Sequence, residues 1–142
     1  MKANAVWIEG FKSELENGRG HRVVVDLPIE QGRKDSGPSA LELAVMALAG
    51  CVTTIFKVIA EKRKFDYKYL KVELDADKPK EATTIATVRG HVELITNGSE
   101  KEAQTILSLK FNTSPVGVLF EKAGIKVDYD LTLKKTVLVT NP

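Results

Sequence analysis

The chain has 142 residues and a mass of 15.6 kDa, the size of one domain, which buries roughly 68–70% of the surface its unfolded chain exposes. With 43% hydrophobic residues, and Lys+Arg 21 against Asp+Glu 19 for a formal charge of +2, the composition argues against disorder and against a concentrated basic surface for nucleic acid. One cysteine and two histidines exclude an intramolecular disulfide and a four-ligand Cys/His zinc site within one chain.

Residues 1–10 lack a long apolar core and a small-residue cleavage site, so no targeting segment is expected; the unpaired cysteine fits a cytoplasmic location. Ala5, Trp7, Phe11 and Leu15 fall on one parity, the mark of strand, interrupted by Glu9 and Ser13. Asn17-Gly18-Arg19-Gly20 supplies positive-φ residues for a hairpin turn, and the β-branched stretch His21–Leu27 follows until Pro28 limits pairing. Gln31–Pro38 is polar and turn-rich.

A long helix comes next. Ser39 can cap it, with Glu42 three residues on as the reciprocal member of a capping box. Leu41 to Ile59 is apolar nearly all round, and Lys62-Arg63-Lys64 places cations near the negative end of the helix dipole. The uncharged run Leu43–Phe56 is 14 residues, short of the roughly 20 that span a bilayer, and reads as a helix buried in protein. One small chain has few elements with which to cover such a helix, so a dimer is expected.

Alternation then returns. Leu70, Val72, Leu74 and Ala76 share one face, as do Ala86, Val88, Val92 and Leu94, with Asp77–Lys80 as the loop of an antiparallel hairpin. Asn97-Gly98 stops the second strand. Ser99 with Glu102 caps a helix whose apolar stripe is Ala103, Ile106, Leu107 and Phe111. Ser114-Pro115 opens a shorter helix that Gly124 terminates, and Ile125, Val127, Tyr129, Leu131 and Leu133 alternate with polar residues in a last, half-exposed strand.

Cys51 lies in the middle of the apolar helix, after Gly50 and among Ala44, Ala47, Leu48, Thr54, Ile55 and Val58 at helical spacing. Two readings stand: a small buried hydrophobe, or a working thiol kept ionised by a cation, a helix N-terminus or a hydrogen-bond donor. His21 and His91 read as surface strand residues. No Gly-x-Ser-x-Gly elbow, phosphate loop or dinucleotide fingerprint occurs, and no cofactor or metal is expected.

Gly37-Pro38-Ser39-Ala40-Leu41-Glu42-Leu43 followed by Ala47-Leu48-Ala49-Gly50-Cys51 resembles the central-helix signature of the OsmC/Ohr family, the osmotically inducible and organic-hydroperoxide-resistance proteins. Asn112-Thr113-Ser114-Pro115-Val116-Gly117 resembles the family's second signature, and the order of elements matches over essentially the whole chain. The resemblance implies an α+β fold of antiparallel sheets wrapped around a long central apolar helix, as a single domain over residues 1–142 in an intertwined homodimer. It also implies a thiol peroxidase in which Cys51 attacks an organic hydroperoxide and becomes a sulfenic acid.

In that family a second cysteine closes a disulfide, and an arginine and a glutamate hold the first thiolate ready. Ser114 occupies the second-cysteine position here, so the intramolecular resolving step is lost; Ser114 is either a hydrogen-bond donor to the sulfur or simply a helix cap. Glu42 is the matching carboxylate, but nine residues from Cys51 it sits about 13 Å away along a straight helix, on roughly the opposite side. It serves the partner subunit's site or only the cap. For the cation, Arg19 stands with Lys12, Arg22 and Arg33 as alternatives.

Two functions are therefore expected to compete. One is reduction of organic hydroperoxides through Cys51, Glu42, Arg19 and Ser114, recycled by an external thiol such as a low-molecular-weight thiol, a lipoyl group or coenzyme A. The other is non-catalytic binding of an acyl, aromatic or thiol-bearing ligand in the dimer cleft. Neither involves nucleic acid or membrane.

Overall fold

The computed structural model describes residues 1–31, 34–109 and 113–136. They form six strands and three helices in two compact units, Met1–Met46 and Ala47–Pro142, and the first helix runs through the boundary.

The N-terminal unit is an antiparallel meander of β1 (Asn4–Glu9), β2 (Lys12–Glu16) and β3 (Arg22–Val25). The parity shared by Ala5, Trp7, Phe11 and Leu15 does not belong to one strand, because the chain reverses at Gly10-Phe11, where Gly10 adopts φ 51° and Glu9 pairs with Lys12. Such a two-residue turn needs positive φ, which glycine supplies without a steric penalty. The Trp7 indole N–H donates to the Gly10 carbonyl at 2.9 Å and fastens it. The second reversal lies at Asn17–Gly20 as the sequence predicts, with the Asn17 side-chain oxygen accepting from the Arg19 and His21 amides.

A short 3-10 turn (Ile29–Gln31) follows, and Asp26 organises the loop around it. Its carboxylate accepts from the Ser36 hydroxyl at 2.7 Å, from the Leu27 amide at 2.8 Å and from the Ser36 amide at 3.2 Å. These bonds, the Ser36 hydroxyl first, hold the Asp26 carboxyl below the usual range.

Helix α1 (Ala40–Lys62) has 23 residues, longer than its uncharged run. The capping box forms: the Glu42 amide donates to Ser39 Oγ at 3.1 Å, and the Ser39 amide donates to the Glu42 carboxylate at 3.2 Å. By length alone α1 could cross a bilayer, but Leu48, Val52, Phe56 and Ala60, spaced four residues apart, are buried in the protein, and α1 is a core helix.

In the C-terminal unit, β4 (Tyr69–Asp77), β5 (Thr87–Ile95) and β6 (Lys126–Lys134) form a second sheet in the order β4-β5-β6. The expected hairpin of β4 and β5 is antiparallel, with Val72 opposite Val92. The expectation that the sheets are antiparallel throughout fails at β6, which pairs parallel to β5 with Val92 beside Leu131. The cause is connectivity: α2 (Glu100–Leu109) and α3 (Pro115–Lys122) intervene, and such a crossover returns the chain in its original direction.

Phe56 and Ala60 of α1, Val92 and Leu94 of β5, and Ala103, Ile106 and Leu107 of α2 form the core, with Phe65 and, at its margin, Tyr67 meeting Phe56 edge-on at 6.5 and 5.5 Å between centroids. Phe111, expected on the α2 stripe, lies outside the described residues, as do Asn112 and Arg33.

Candidate functional site

Cys51 occupies the middle of α1, half-buried. Its sulfur lies 2.9 Å from the hydroxyl oxygen of Ser114, 63 positions later in the chain. Ser114 is 3% exposed and caps α3, its Oγ accepting the Gly117 amide at 3.1 Å, with Pro115 opening the helix. Gly117 makes this cap possible, since a Cβ there would stand 3.0 Å from Ser114 Oγ. Ser114 is thus more than a cap, since its hydroxyl also touches the thiol.

A serine oxygen that accepts from a backbone N–H still has a proton to give and a second lone pair to offer, so toward a neutral thiol either group can be the donor. Toward a thiolate only the hydroxyl can be the donor. Beside Cys51 the helix is open, because nothing lies within 4 Å of where a Cβ on Gly50 would project. The Gly50 carbonyl accepts from the Thr53 and Thr54 hydroxyls at 2.8 and 3.0 Å, which keeps those two polar groups on the helix itself.

Tyr129 belongs to the same neighbourhood and was not singled out by the sequence. Burial pushes its hydroxyl up to about 12, and the charge of the Cys51 thiolate adds to the shift. Its ring lies over Gly90, its partner in the β5–β6 register, where a Cβ would overlap the ring and stand 3.0 Å from Leu74 Cδ2. The legible signal was Gly90 itself, since a glycine inside a strand marks a close approach of other atoms.

The other predicted residues have partners within their own units. Glu42 is engaged in the capping box with Ser39. Arg19 lies in the β2–β3 turn of the N-terminal unit, held there through its backbone amide. Arg22 pairs with Glu14 at 3.4 Å, and the Lys12 charge acts on Asp26 in that same unit. His91 pairs with Asp130 across β5 and β6, and His21 bonds the Asn17 amide group.

Residues 33–130 match the model of the OsmC-like protein family, and the chain belongs to it. Protein YhfA of Escherichia coli (strain K12) is 26% identical over 129 residues, covering 87% of this chain and 91% of YhfA. Among solved structures, the OsmC-like protein of Mycoplasma pneumoniae superposes with a TM-score of 0.83 at 16% identity, over 93% of this chain and 95% of that one. The organic hydroperoxide resistance protein OsmC of Legionella pneumophila superposes with a TM-score of 0.72 at 15% identity, over 92% and 95% of the two chains. These likenesses define the fold, α+β and OsmC-like, and the family suggests a redox or hydroperoxide-resistance role.

Proposed function

We propose that the protein reduces organic hydroperoxides through Cys51 and is recycled by an external thiol. The observation that carries this reading is the 2.9 Å contact between the Cys51 sulfur and a buried hydroxyl, which toward a thiolate acts as the donor. The Cys51 thiolate attacks the distal peroxide oxygen, the O–O bond breaks, and the departing alkoxide takes a proton to become an alcohol. Cys51 is left as the sulfenic acid. One external thiol condenses with it to a mixed disulfide and water; a second attacks the sulfur of the first, forming the external disulfide and expelling Cys51 as the restored thiolate. The balance is one hydroperoxide and two thiols to one alcohol, one disulfide and one water.

Ser114 supports the first step and takes no part in the second, since a hydroxyl cannot form the disulfide that a second cysteine would. The external thiol supplies that step, and the cytoplasm is the compartment that offers it. The whole chain acts as one OsmC-like domain in a homodimer: Trp7 is 69% exposed in a single chain, and Val6, Ile8, Met46 and Val58 are exposed with it. Arg19 and Glu42 would then serve as ion partners of a thiolate site completed by the second chain.

The test is consumption of cumene hydroperoxide with dihydrolipoamide as reductant. Cys51→Ser should abolish turnover. Ser114→Ala should slow oxidation of the thiol about 10- to 100-fold, the worth of one hydrogen bond to a charged group. Wild-type turnover by Cys51→Ser ends the proposal, and tight binding of the hydroperoxide without turnover would favour the ligand-binding alternative instead.

A further inference from the structure

The connection from α1 to β4, Lys64 to Lys68, alternates three charged residues with two aromatic ones. Phe65 and Tyr67 meet Phe56 in the core, while Lys64, Asp66 and Lys68 stay exposed. Together with the turn from β5 into α2, this connection lines a cavity of about 650 Å³, within the roughly 300–1,000 Å³ of small-molecule sites. The cavity lies wholly in the C-terminal unit, and neither Cys51 nor Ser114 lines it. Its walls are fastened to each other. The Thr96 hydroxyl donates to the Asp66 carbonyl and accepts the Gly98 amide at 2.9 Å, and the Asn97 side-chain oxygen accepts the Thr136 amide at 3.3 Å. Gly98 leaves the space that the Phe65 ring occupies, since a Cβ there would overlap it.

Two observations mark this cavity as a binding site. The first is its charge. Elsewhere in the chain neighbouring acids and bases pair, as Lys57 does with Glu61, Lys71 with Glu73 and Lys134 with Glu93. Lys64, Lys68, Asp66 and Glu102 all line the cavity, and among the described residues none of the four has a salt bridge or a side-chain hydrogen bond. The second is Thr136, which also lines the cavity. Its hydroxyl oxygen is the one buried side-chain polar atom among the described residues with no hydrogen-bond partner. Such an atom costs about 1–3 kcal/mol when left unpaired and calls for a partner. Charges of both signs that share a space without neutralising each other suit a molecule that carries both signs. A simple anion there meets Asp66 and Glu102 as well as the lysines, and a simple cation meets the lysines as well as the acids.

We propose that this cavity binds a small zwitterion of short-peptide size, with its carboxylate toward Lys64 and Lys68 and its ammonium toward Asp66 and Glu102. The half-buried Tyr67 gives the stem between those groups an apolar surface. The site is separate from the thiol and does not depend on the peroxidase reading.

The experiment is isothermal titration calorimetry of the full chain at neutral pH and low salt with three probes: the dipeptide alanyl-leucine, its N-acetylated form and its C-amidated form. Each modification removes one charge and should weaken binding about tenfold or more, the worth of a hydrogen bond to a charged group. Lys68→Gln should weaken the unmodified dipeptide about tenfold and leave the amidated form, which has no carboxylate to lose, unaffected. Glu102→Gln should weaken the unmodified dipeptide by a similar factor and leave the acetylated form unaffected. Lys101→Gln, exposed on α2 and outside the cavity lining, should change none of the three. Absence of binding by alanyl-leucine, equal affinity for all three probes, or equal weakening of all three by Lys68→Gln overturns the proposal.

Discussion

The two sheets of this chain are built from similar strands and end in opposite conditions. In the C-terminal sheet, β4 and β6 alternate strictly between exposed and half-buried positions, and central β5 buries every second residue from Val88 to Leu94. In the N-terminal sheet every residue of β1 is exposed, and the one buried residue among those described in Met1–Met46 is an acid, Asp26. The C-terminal sheet has its own layer in α1 and α2, which supply Phe56, Ala60, Ala103, Ile106 and Leu107. Among the described residues the N-terminal unit has no apolar core of its own, and a three-stranded sheet needs a covered hydrophobic face to be stable. Alternation in a sequence therefore announces a face to be buried without saying which chain buries it.

The sharpest way to break this comparison is to truncate one large apolar side chain in each sheet's surroundings. Phe56→Ala removes a side chain that is 0% exposed and should cost about 3–5 kcal/mol in urea unfolding, at any protein concentration. Trp7→Ala should cost less than about 0.5 kcal/mol in an isolated chain. If a second copy covers β1, it should instead weaken self-association by about 2 kcal/mol or more, a dissociation constant raised roughly 30-fold in sedimentation equilibrium. Unchanged self-association in Trp7→Ala would remove the N-terminal sheet from the interface.

The glycines of the two sheets separate space from backbone. A Cβ on Gly90 would meet the Tyr129 ring and Leu74, and Gly90→Ala should cost about 1–3 kcal/mol by displacing that ring, with a change in near-ultraviolet tyrosine dichroism. Gly10 has open space but φ 51°, so Gly10→Ala should cost about 1 kcal/mol of backbone strain and leave the tyrosine signal unaltered. Equal losses in both spectra would mean that the Tyr129 site is not a rigid one.

Much of this architecture is legible in local chemistry. The capping box at Ser39, the Ser99 cap, the Ser114-Pro115 helix start and the alternation of β4, β5 and β6 all follow from interactions within a few residues, and the structure shows each. The reversal at Gly10 was hidden because Ala5 and Trp7 happen to share parity with Phe11 and Leu15 across the turn. The parallel pairing of β6 was hidden because strand direction depends on where two intervening helices return the chain, which no residue of β6 encodes. The site divides along the same line. Cys51 and Ser114 were readable as motif positions, and the 2.9 Å contact between them is tertiary. Glu42 was readable both as cap and as ion partner, and within its own chain the cap holds it.

The smallest effects should lie at the two ends of the pH range, one in each unit. Asp26 is held below its ordinary 3.8 by the Ser36 hydroxyl and neighbouring amides, so its contribution to stability is fully present above that value and is lost as pH falls through the lower, folded-state pKa. Tyr129 is shifted the other way, to about 12 from 10.0, so the stability it carries is intact below pH 10 and is lost as pH rises toward 12. Trp7, the chain's one tryptophan, reports on the N-terminal unit, and tyrosinate absorbance reports on the other. Ser36→Ala should shift the acid transition of Trp7 fluorescence to higher pH and leave the alkaline one in place. Tyr129→Phe should delete a tyrosine ionisation at about 12 without moving the acid transition. Should Ser36→Ala move both transitions together, the two units would unfold as one, and the contrast between them would be one of burial alone, with no difference in stability behind it.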